Sequence, residues 1–272
     1  MLIRAGFVMT YECVRPTPML LVLEVHPDRA ADVQGGAGTV FDRTVAVERY
    51  ADQFGNSCMR VVLPEGVTTL STDFVISDTG EADAVVPGAG QAVVEALPSE
   101  VLVYLLGSRY CDTDRLSETA WGLFGDMAGG WGRVQAICDY THERLTFAYD
   151  QAGSTRTAWM AHQARHGVGR DYVHLAIALC RCMNIPARYC TGYLGGVGAD
   201  LDEPMDFSAW FEAFLDGRWY VFDPWRNAPR VGRVLIARGR DATDVALSTT
   251  FGPCRLLDFQ VRTGVVVEGA EG

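Results

Sequence analysis

The stretch Gly167–Arg181, GVGRDYVHLAIALCR, decides the fold of this chain. Two glycines near its start break the preceding structure, and Arg170–Met183 then carries apolar residues at helical spacing. This pattern predicts a buried helix that ends at Asn184-Ile185-Pro186. The next segment, Ala187–Tyr193, is a predicted strand.

Three more helices are predicted upstream of this stretch. They lie at Asp114–Phe124, within Trp131–Leu145, and at Thr157–Arg165. Further upstream, Ile3–Tyr11 alternates apolar and other residues, and strand-like runs follow at Met19–Val25, Met59–Leu63 and Val67–Ile76. The acidic, poorly patterned segment Asp78–Pro98 indicates a domain boundary. We therefore expect a β-rich domain over residues 1–88 and a core domain over residues 89–272.

The last third contains a strand hairpin whose register can be worked out. After a predicted Gly- and Asp-rich loop over about 194–206, Phe207–Leu215 alternates, and Asp216-Gly217 is a strong two-residue turn signal. If Leu215 pairs with Arg218, then Trp210 faces Asp223 and Ser208 faces Trp225. Opposed residues share one face of a sheet. We therefore expect Ser208, Trp210, Asp223 and Trp225 to line one surface.

Composition excludes several classes of function. The chain has 272 residues with 34 acidic and 23 basic side chains, and its net charge of −11 disfavours a nucleic-acid partner. Every basic residue is Arg, so lysine Schiff-base and P-loop chemistry are excluded. Apolar runs such as Met19–Leu23 are far too short for a membrane span, and no secretory signal is visible. These features predict a cytoplasmic protein with eight reduced cysteines, no membrane partner and no cofactor.

Several motifs resemble the bacterial transglutaminase-like family. Gly167–Arg181 is similar to its segment around the catalytic cysteine, and IPARYCTGY at 185–193 to its next strand. FSAWFEAF at 207–214 and GRWYVFDP at 217–224 are similar to its His and Asp strands. The resemblance implies an α+β fold: a papain-like transglutaminase core, with helices packed on an antiparallel sheet, preceded by an N-terminal β-rich domain. It also implies acyl transfer by a helix-terminal thiolate with His and Asp partners.

The sequence departs from that pattern at the site itself. The resemblance places the family cysteine at Gly169 and the family histidine at Ser208, whereas Asp223 matches the family aspartate. Cys180 and Cys182 lie too far along the helix to replace the thiol, while Cys190 on the adjacent strand could approach. Gly169 would also open volume at a helix N-terminus, where anions bind well.

Four residues are therefore candidate catalytic groups, namely Asp223, Ser208, His174 and His166. His162, His166, Asp171 and His174 could alternatively hold a metal, although solvated histidines are the default and no metal is expected. Asp223 could instead cap the turn that follows it, and His174 could be a core residue. A basic stretch containing Arg226, Arg230, Arg233, Arg238 and Arg240 is either solvated and salt-bridged or an anion clamp. The remaining cleft-lining candidates are Gly169, Arg170, Asp171, Tyr193, Trp210 and Trp225.

Three functions remain open from the sequence. The first is a repurposed non-thiol enzyme that acts on a small-molecule or peptide-derived substrate in a biosynthetic pathway. The second is a non-catalytic protein that binds a peptide or a partner in the old cleft. The third is an amide hydrolase or acyltransferase whose nucleophile lies elsewhere or was replaced.

Overall fold

The N-terminal part of the protein forms two antiparallel sheets. The computed structural model describes residues 1–36, 38–195 and 207–266. Alternating burial along the first strand, with the odd-numbered side chains inside, follows the period of two that the sequence predicts. The first seven strands are β1 (Leu2–Cys13), β2 (Thr17–Leu21), β3 (Val33–Gly36), β4 (Val40–Phe41), β5 (Val47–Ala51), β6 (Ser57–Leu63) and β7 (Gly66–Ser77).

The middle of the chain is helical, as predicted. The helices are α1 (Thr113–Phe124), α2 (Trp131–Arg144), α3 (Ala158–Ala164) and α4 (Gly169–Cys182), and the short parallel pair β8 (Thr146–Phe147) and β9 (His166–Gly167) lies between α2 and α4. The fourth helix is central: it contacts the other three helices on one side and a sheet on the other. Its apolar residues from Tyr172 to Leu179 are all buried, which explains why the sequence from 172 to 179 contains a single polar side chain, His174.

The sheet behind α4 is antiparallel and has four strands, in the order β12-β11-β10-β13. These strands are β10 (Ala187–Leu194), β11 (Ser208–Leu215), β12 (Arg218–Phe222) and β13 (Arg233–Gly239). Asp216 and Gly217 both have positive φ, +50° and +80°, as a two-residue turn that matches strand twist requires. Leu215 pairs with Arg218, so the predicted hairpin register is confirmed. Most of the loop predicted at 194–206 lies outside the described residues.

The C-terminal segment returns to the N-terminal sheets, which the sequence did not indicate. β14 (Ser248–Thr250) pairs with β2, and β15 (Cys254–Val265) pairs with β1 along its whole length. The resulting sheets have the orders β15-β1-β7-β3, with β4 also on β7, and β14-β2-β6-β5. The boundary at residue 88 stays a prediction, but the β-rich part also contains strands from the other end of the chain.

One continuous apolar core joins these layers. It contains Phe7 from the first sheet, Leu175 from α4 and Phe211 from β11. The α+β architecture, with a papain-like helix-on-sheet core after a β-rich N-terminal region, is therefore confirmed. Within the described residues, no helix is both long enough and apolar enough to cross a membrane.

Candidate functional site

The N-terminus of α4 is built by the sequence GVGRD. Asp171 folds back so that its Oδ2 accepts a hydrogen bond from the backbone N–H of Val168 (2.9 Å), which caps the helix. Arg156 lies 3.5 Å from the same carboxylate oxygen. Burial raises the pKa of Asp171, against the opposing effects of the Val168 N–H and the nearby arginines. Asp171 is therefore a buried helix cap rather than part of an open cleft wall.

Gly169 is the first residue of α4, and an indole ring covers it. A Cβ atom added at Gly169 would lie 3.2 Å from Cε3 of Trp225. The Trp225 ring stacks on Phe147, with centroids 4.8 Å apart. The backbone carbonyl oxygen of Trp225 accepts a hydrogen bond from His142 Nδ1 (2.7 Å). The expectation that Gly169 opens space at the helix end is therefore wrong: Trp225 already packs against that space.

Asp223 is held by two donors. Its Oδ1 accepts from the backbone N–H of Arg226 (3.0 Å), and its Oδ2 accepts from Nη2 of Arg233 (3.0 Å). The side chains of Asp223 and Arg233 are only 4% and 8% exposed. Arg233 also pairs through Nε with Asp83 (3.0 Å), a residue from the segment between the two parts of the chain. Asp223 thus caps the turn that follows it and belongs to a buried ion-pair triad, Asp83–Arg233–Asp223.

The hairpin places Trp210 next to this triad, as the register argument predicted. Trp210 is buried, packs with Cys190 and Leu235, and has the Arg233 guanidinium carbon 5.0 Å from its ring centre. Ser208 is half-buried at the start of β11, opposite Gly192 of β10. The structure therefore brings Trp210 and Asp223 together, with Arg233 against both.

The two candidate histidines are held elsewhere. His166 Nδ1 donates to the carbonyl of Ala164 (2.9 Å), and its Nε2 accepts from Arg156 Nη2 (3.3 Å). His174 is fully buried: its ring stacks on Tyr110 and its Nε2 accepts from the backbone N–H of Ala242 (3.1 Å). Burial lowers the pKa of His174. His174 is a core histidine without a solvent-facing surface.

The other cleft candidates also have structural partners. Arg170 donates through Nη2 to the carbonyl of Gly153 (2.7 Å). Tyr193 is fully buried and packs its ring against Phe74 and Phe207 between the two parts of the chain. Tyr193 therefore lies in the core, and the expectation that it lines the cleft is wrong.

The predicted histidine cluster does not assemble into a metal site. His162 Nε2 contacts the hydroxyl of Tyr140 (2.7 Å), while His166 and His174 have the separate partners given above. In the part of the chain that the structure describes, no group of three or more His, Cys, Asp or Glu side chains is arranged to hold a metal ion.

Three arginines of the basic stretch, Arg233, Arg238 and Arg240, pair with carboxylates. Arg238 contacts Asp28 and Glu212, and Arg240 contacts Asp244 (2.8 Å). Sequence reasoning noted Arg233 within this stretch but did not connect it with Asp223. The signal was present: a retained buried carboxylate without its histidine partner needs another donor, and arginine is the residue suited to a buried pair.

Several known proteins are similar to this chain. A model of the transglutaminase-like superfamily matches residues 125–224, which include Gly169, Ser208 and Asp223. An uncharacterized protein of Mycobacterium leprae is 36% identical over 91 residues, and this match spans only 31% of either protein. The crystal structure of a candidate cysteine protease from Cytophaga hutchinsonii is similar over 97% of this chain and 90% of its own, with a TM-score of 0.81 and 29% identity. Residues 125–224 of this chain therefore form a transglutaminase-like domain.

Proposed function

We propose that this protein is a non-catalytic transglutaminase-like protein that binds a peptide beside the N-terminus of α4. The observation that carries the proposal is the state of Asp223, whose two oxygens accept hydrogen bonds from Arg233 and from the backbone of Arg226. In a working triad the carboxylate accepts a hydrogen bond from the imidazole that it orients. Here the buried guanidinium of Arg233 donates a hydrogen bond to the carboxylate, as the imidazole does in such a triad.

The pairing with Arg233 is consistent with a site that has lost its base. Ser208 stands where the resemblance places the family histidine, so without Arg233 the buried Asp223 would have no cationic partner. An uncompensated buried charge costs about 3–5 kcal/mol. Arg233 offsets this cost and donates to Oδ2 of Asp223, while the backbone N–H of Arg226 donates to Oδ1. The arrangement favours a structural role for the carboxylate.

A replacement nucleophile is not favoured either. Cys190, the one thiol on a strand next to the site, is fully buried against Trp210 and Leu235. Burial raises its pKa well above the ordinary value, and acyl transfer requires the thiolate. This argues against an acyltransferase that uses Cys190.

The surface beside the N-terminus of α4 suits a peptide ligand. Phe147 is 38% exposed and stacks on Trp225, and the Arg226 guanidinium carbon lies 4.0 Å from the centre of the Trp225 ring. Beside this aromatic surface, the N–H groups of Gly169 and Arg170, the first two of α4, precede the first helical hydrogen bonds to the Val168 carbonyl, and the helix dipole is positive there. An apolar side chain and a backbone carbonyl or carboxylate are the groups that such a surface binds. The likeness to a candidate cysteine protease supports a peptide as the ligand.

The repurposed enzyme is the competing interpretation. It needs an acid or base that is free to exchange a proton with a substrate. Asp223, His166 and His174 each hold other groups, and no specific observation favours a particular reaction. Catalytic turnover by the wild-type protein is therefore the result that would contradict the proposal in the experiment below.

The experiment is a peptide-binding screen with matched tryptophan variants. Wild-type protein is screened against immobilised random peptides, and binders are retested by fluorescence anisotropy with Trp225→Ala and with Trp121→Ala. Trp121 is a half-exposed tryptophan on α1 and serves as the control. We expect Trp225→Ala to weaken binding by roughly tenfold or more, as for an aromatic anchor, and Trp121→Ala to leave it unchanged.

Two results would contradict the proposal. One is a set of peptides that bind equally well to Trp225→Ala when its Tm shows that it is folded. The other is amine incorporation or peptide cleavage by the wild-type protein, with iodoacetamide-sensitive turnover indicating a thiol enzyme.

A further inference from the structure

We infer that Cys13 and Cys254 form a disulfide site that fastens the last strand of the protein to the first. Cys13 is the last residue of β1 and Cys254 the first of β15, and the two are direct partners in the antiparallel pairing of these strands. Both thiols are free in the structure. The inference concerns a site far from α4 and does not depend on the proposed function.

The backbone geometry suits a cross-strand disulfide. The N–H of Val14 donates to the carbonyl of Pro253 one position beyond, so Cys13 and Cys254 occupy the neighbouring non-hydrogen-bonded position. At such positions the Cα atoms are about 4.5 Å apart, inside the range of about 4.4–6.8 Å found for disulfides. The proximity of Cys13 contributes to the raised pKa of Cys254, as expected for two neighbouring thiols. Bond formation therefore requires rotation of side chains but no movement of strands.

The surroundings make this pair different from the other cysteines. Cys254 is partly exposed, so a reagent can reach it, whereas Cys13 is buried beneath it. The remaining six cysteines, which are Cys58, Cys111, Cys138, Cys180, Cys182 and Cys190, are all buried. None of these six stands opposite another cysteine in a strand pair of the described sheets. Among the described strand pairs, a cross-strand disulfide is therefore expected at one place.

The chemistry is an ordinary dithiol oxidation. A bond forms between the two Sγ atoms, and the two thiol hydrogens leave as two protons and two electrons. The oxidant is a small external disulfide, which accepts the electrons and is reduced to two thiols, or an azo reagent such as diamide, which is reduced to its hydrazine. Burial and the adjacent Cys13 raise the pKa of Cys254 to about 12, so the experiment follows oxidation to completion rather than its rate.

The product would constrain the ends of the chain. β15 is held to the rest of the first sheet through β1 alone among the described strands. A covalent link at residues 13 and 254 would close a loop that contains most of the sequence, and long loops give the largest entropic stabilisation in the chain-entropy model.

The test uses tryptic mapping, which the sequence makes unambiguous. With no Lys in the chain and Arg15 followed by Pro16, trypsin releases Cys13 in peptide 5–29 and Cys254 in peptide 241–255, each with a single cysteine. Folded protein is treated with diamide, unfolded in an alkylating buffer, and digested. We expect a linked 5–29/241–255 pair that dithiothreitol separates, and a Tm that rises by roughly 5–10 °C on oxidation.

Two variants complete the design. Cys254→Ser should abolish both the linked peptide and the change in Tm. Cys182→Ser is the matched control, since a serine hydroxyl can still donate to the carbonyl of Thr113 as the Cys182 thiol does, and it should behave like the wild type. Complete alkylation of both peptides after exhaustive oxidation would overturn the site. A linked peptide without a rise in Tm would overturn the claim that it fastens the strands.

Discussion

Asp223→Asn tests the buried triad on which the proposed function rests. The substitution keeps the size of the side chain and an oxygen that can accept from Arg226, but it removes the charge that faces Arg233. Hydrogen bonds to charged groups contribute about 1.5–3 kcal/mol, and Arg233 keeps its second partner, Asp83. We therefore expect the free energy of unfolding to fall by about 1–3 kcal/mol, with a decrease in Tm of roughly 3–10 °C.

The same substitution in a variant that lacks Arg233 tests whether Asp223 and Arg233 are coupled. In an Arg233→Met variant, Asp223 is a buried carboxylate without its cation, so Asp223→Asn should stabilise that variant rather than destabilise it. Urea unfolding followed by circular dichroism measures the four proteins of this double-mutant cycle. Asp73→Asn is the control, because Asp73 and its partner Arg4 are 58% and 68% exposed and their pairing should contribute little.

The reasoning is refuted by either of two results. If Asp223→Asn is as mild as Asp73→Asn, the buried triad contributes nothing particular to stability. If Asp223→Asn has the same sign and size with and without Arg233, the two side chains are not coupled. A third result, unchanged stability with a loss of some newly found turnover of 10²–10⁴-fold, would return Asp223 to a catalytic role.

Two further predictions follow from the N-terminus of α4. Gly169→Cys, alone or with Ser208→His, should show no amine incorporation above background. The new Cβ atom would lie 3.2 Å from Trp225, and Asp223 is already paired with Arg233 and so is not free to orient an imidazole. Rapid iodoacetamide-sensitive turnover would contradict this prediction. Asp171→Asn should make stability less dependent on acidic pH: since burial raises the pKa of Asp171, its contribution is fully present below the ordinary value of 3.8 and is lost as pH rises through the folded pKa. The difference in free energy of unfolding between wild type and Asp171→Asn should therefore grow in favour of wild type as pH falls from 7 toward 3, and a difference that shrinks would show that the sign is wrong.

Local elements were predictable because their signals lie in consecutive residues. The apolar spacing after Gly169 predicted α4 to within one residue at each end. The turn Asp216-Gly217 fixed the register of β11 and β12, since two positive φ angles suit Asp and Gly in a two-residue turn. The register in turn placed Trp210 and Asp223 on one face.

The partners of the site residues were not predictable in this way. Asp83, Asp223 and Arg233 meet although 140 residues separate the first two, and no periodicity relates them. Trp225 was expected on the cleft face, but only the packing of the turn after β12 against β8 shows that its ring covers Gly169. His174 had two interpretations until the positions of Tyr110 and Ala242 showed that its ring is enclosed.

The sequence by itself determined the helices, seven of the fifteen described strands, the hairpin register and the absence of lysine chemistry, because each depends on residue type and short-range spacing. Tertiary structure decided that β15 pairs with β1, so that Cys13 lies opposite Cys254. It also decided that Arg233 forms an ion pair with Asp223, the carboxylate on which a catalytic interpretation depended. The physical reason is that a period along the chain sets which face a residue occupies. Which side chains then share a buried charge or a strand pair depends on how distant segments fold together, and burial makes those long-range pairings strong.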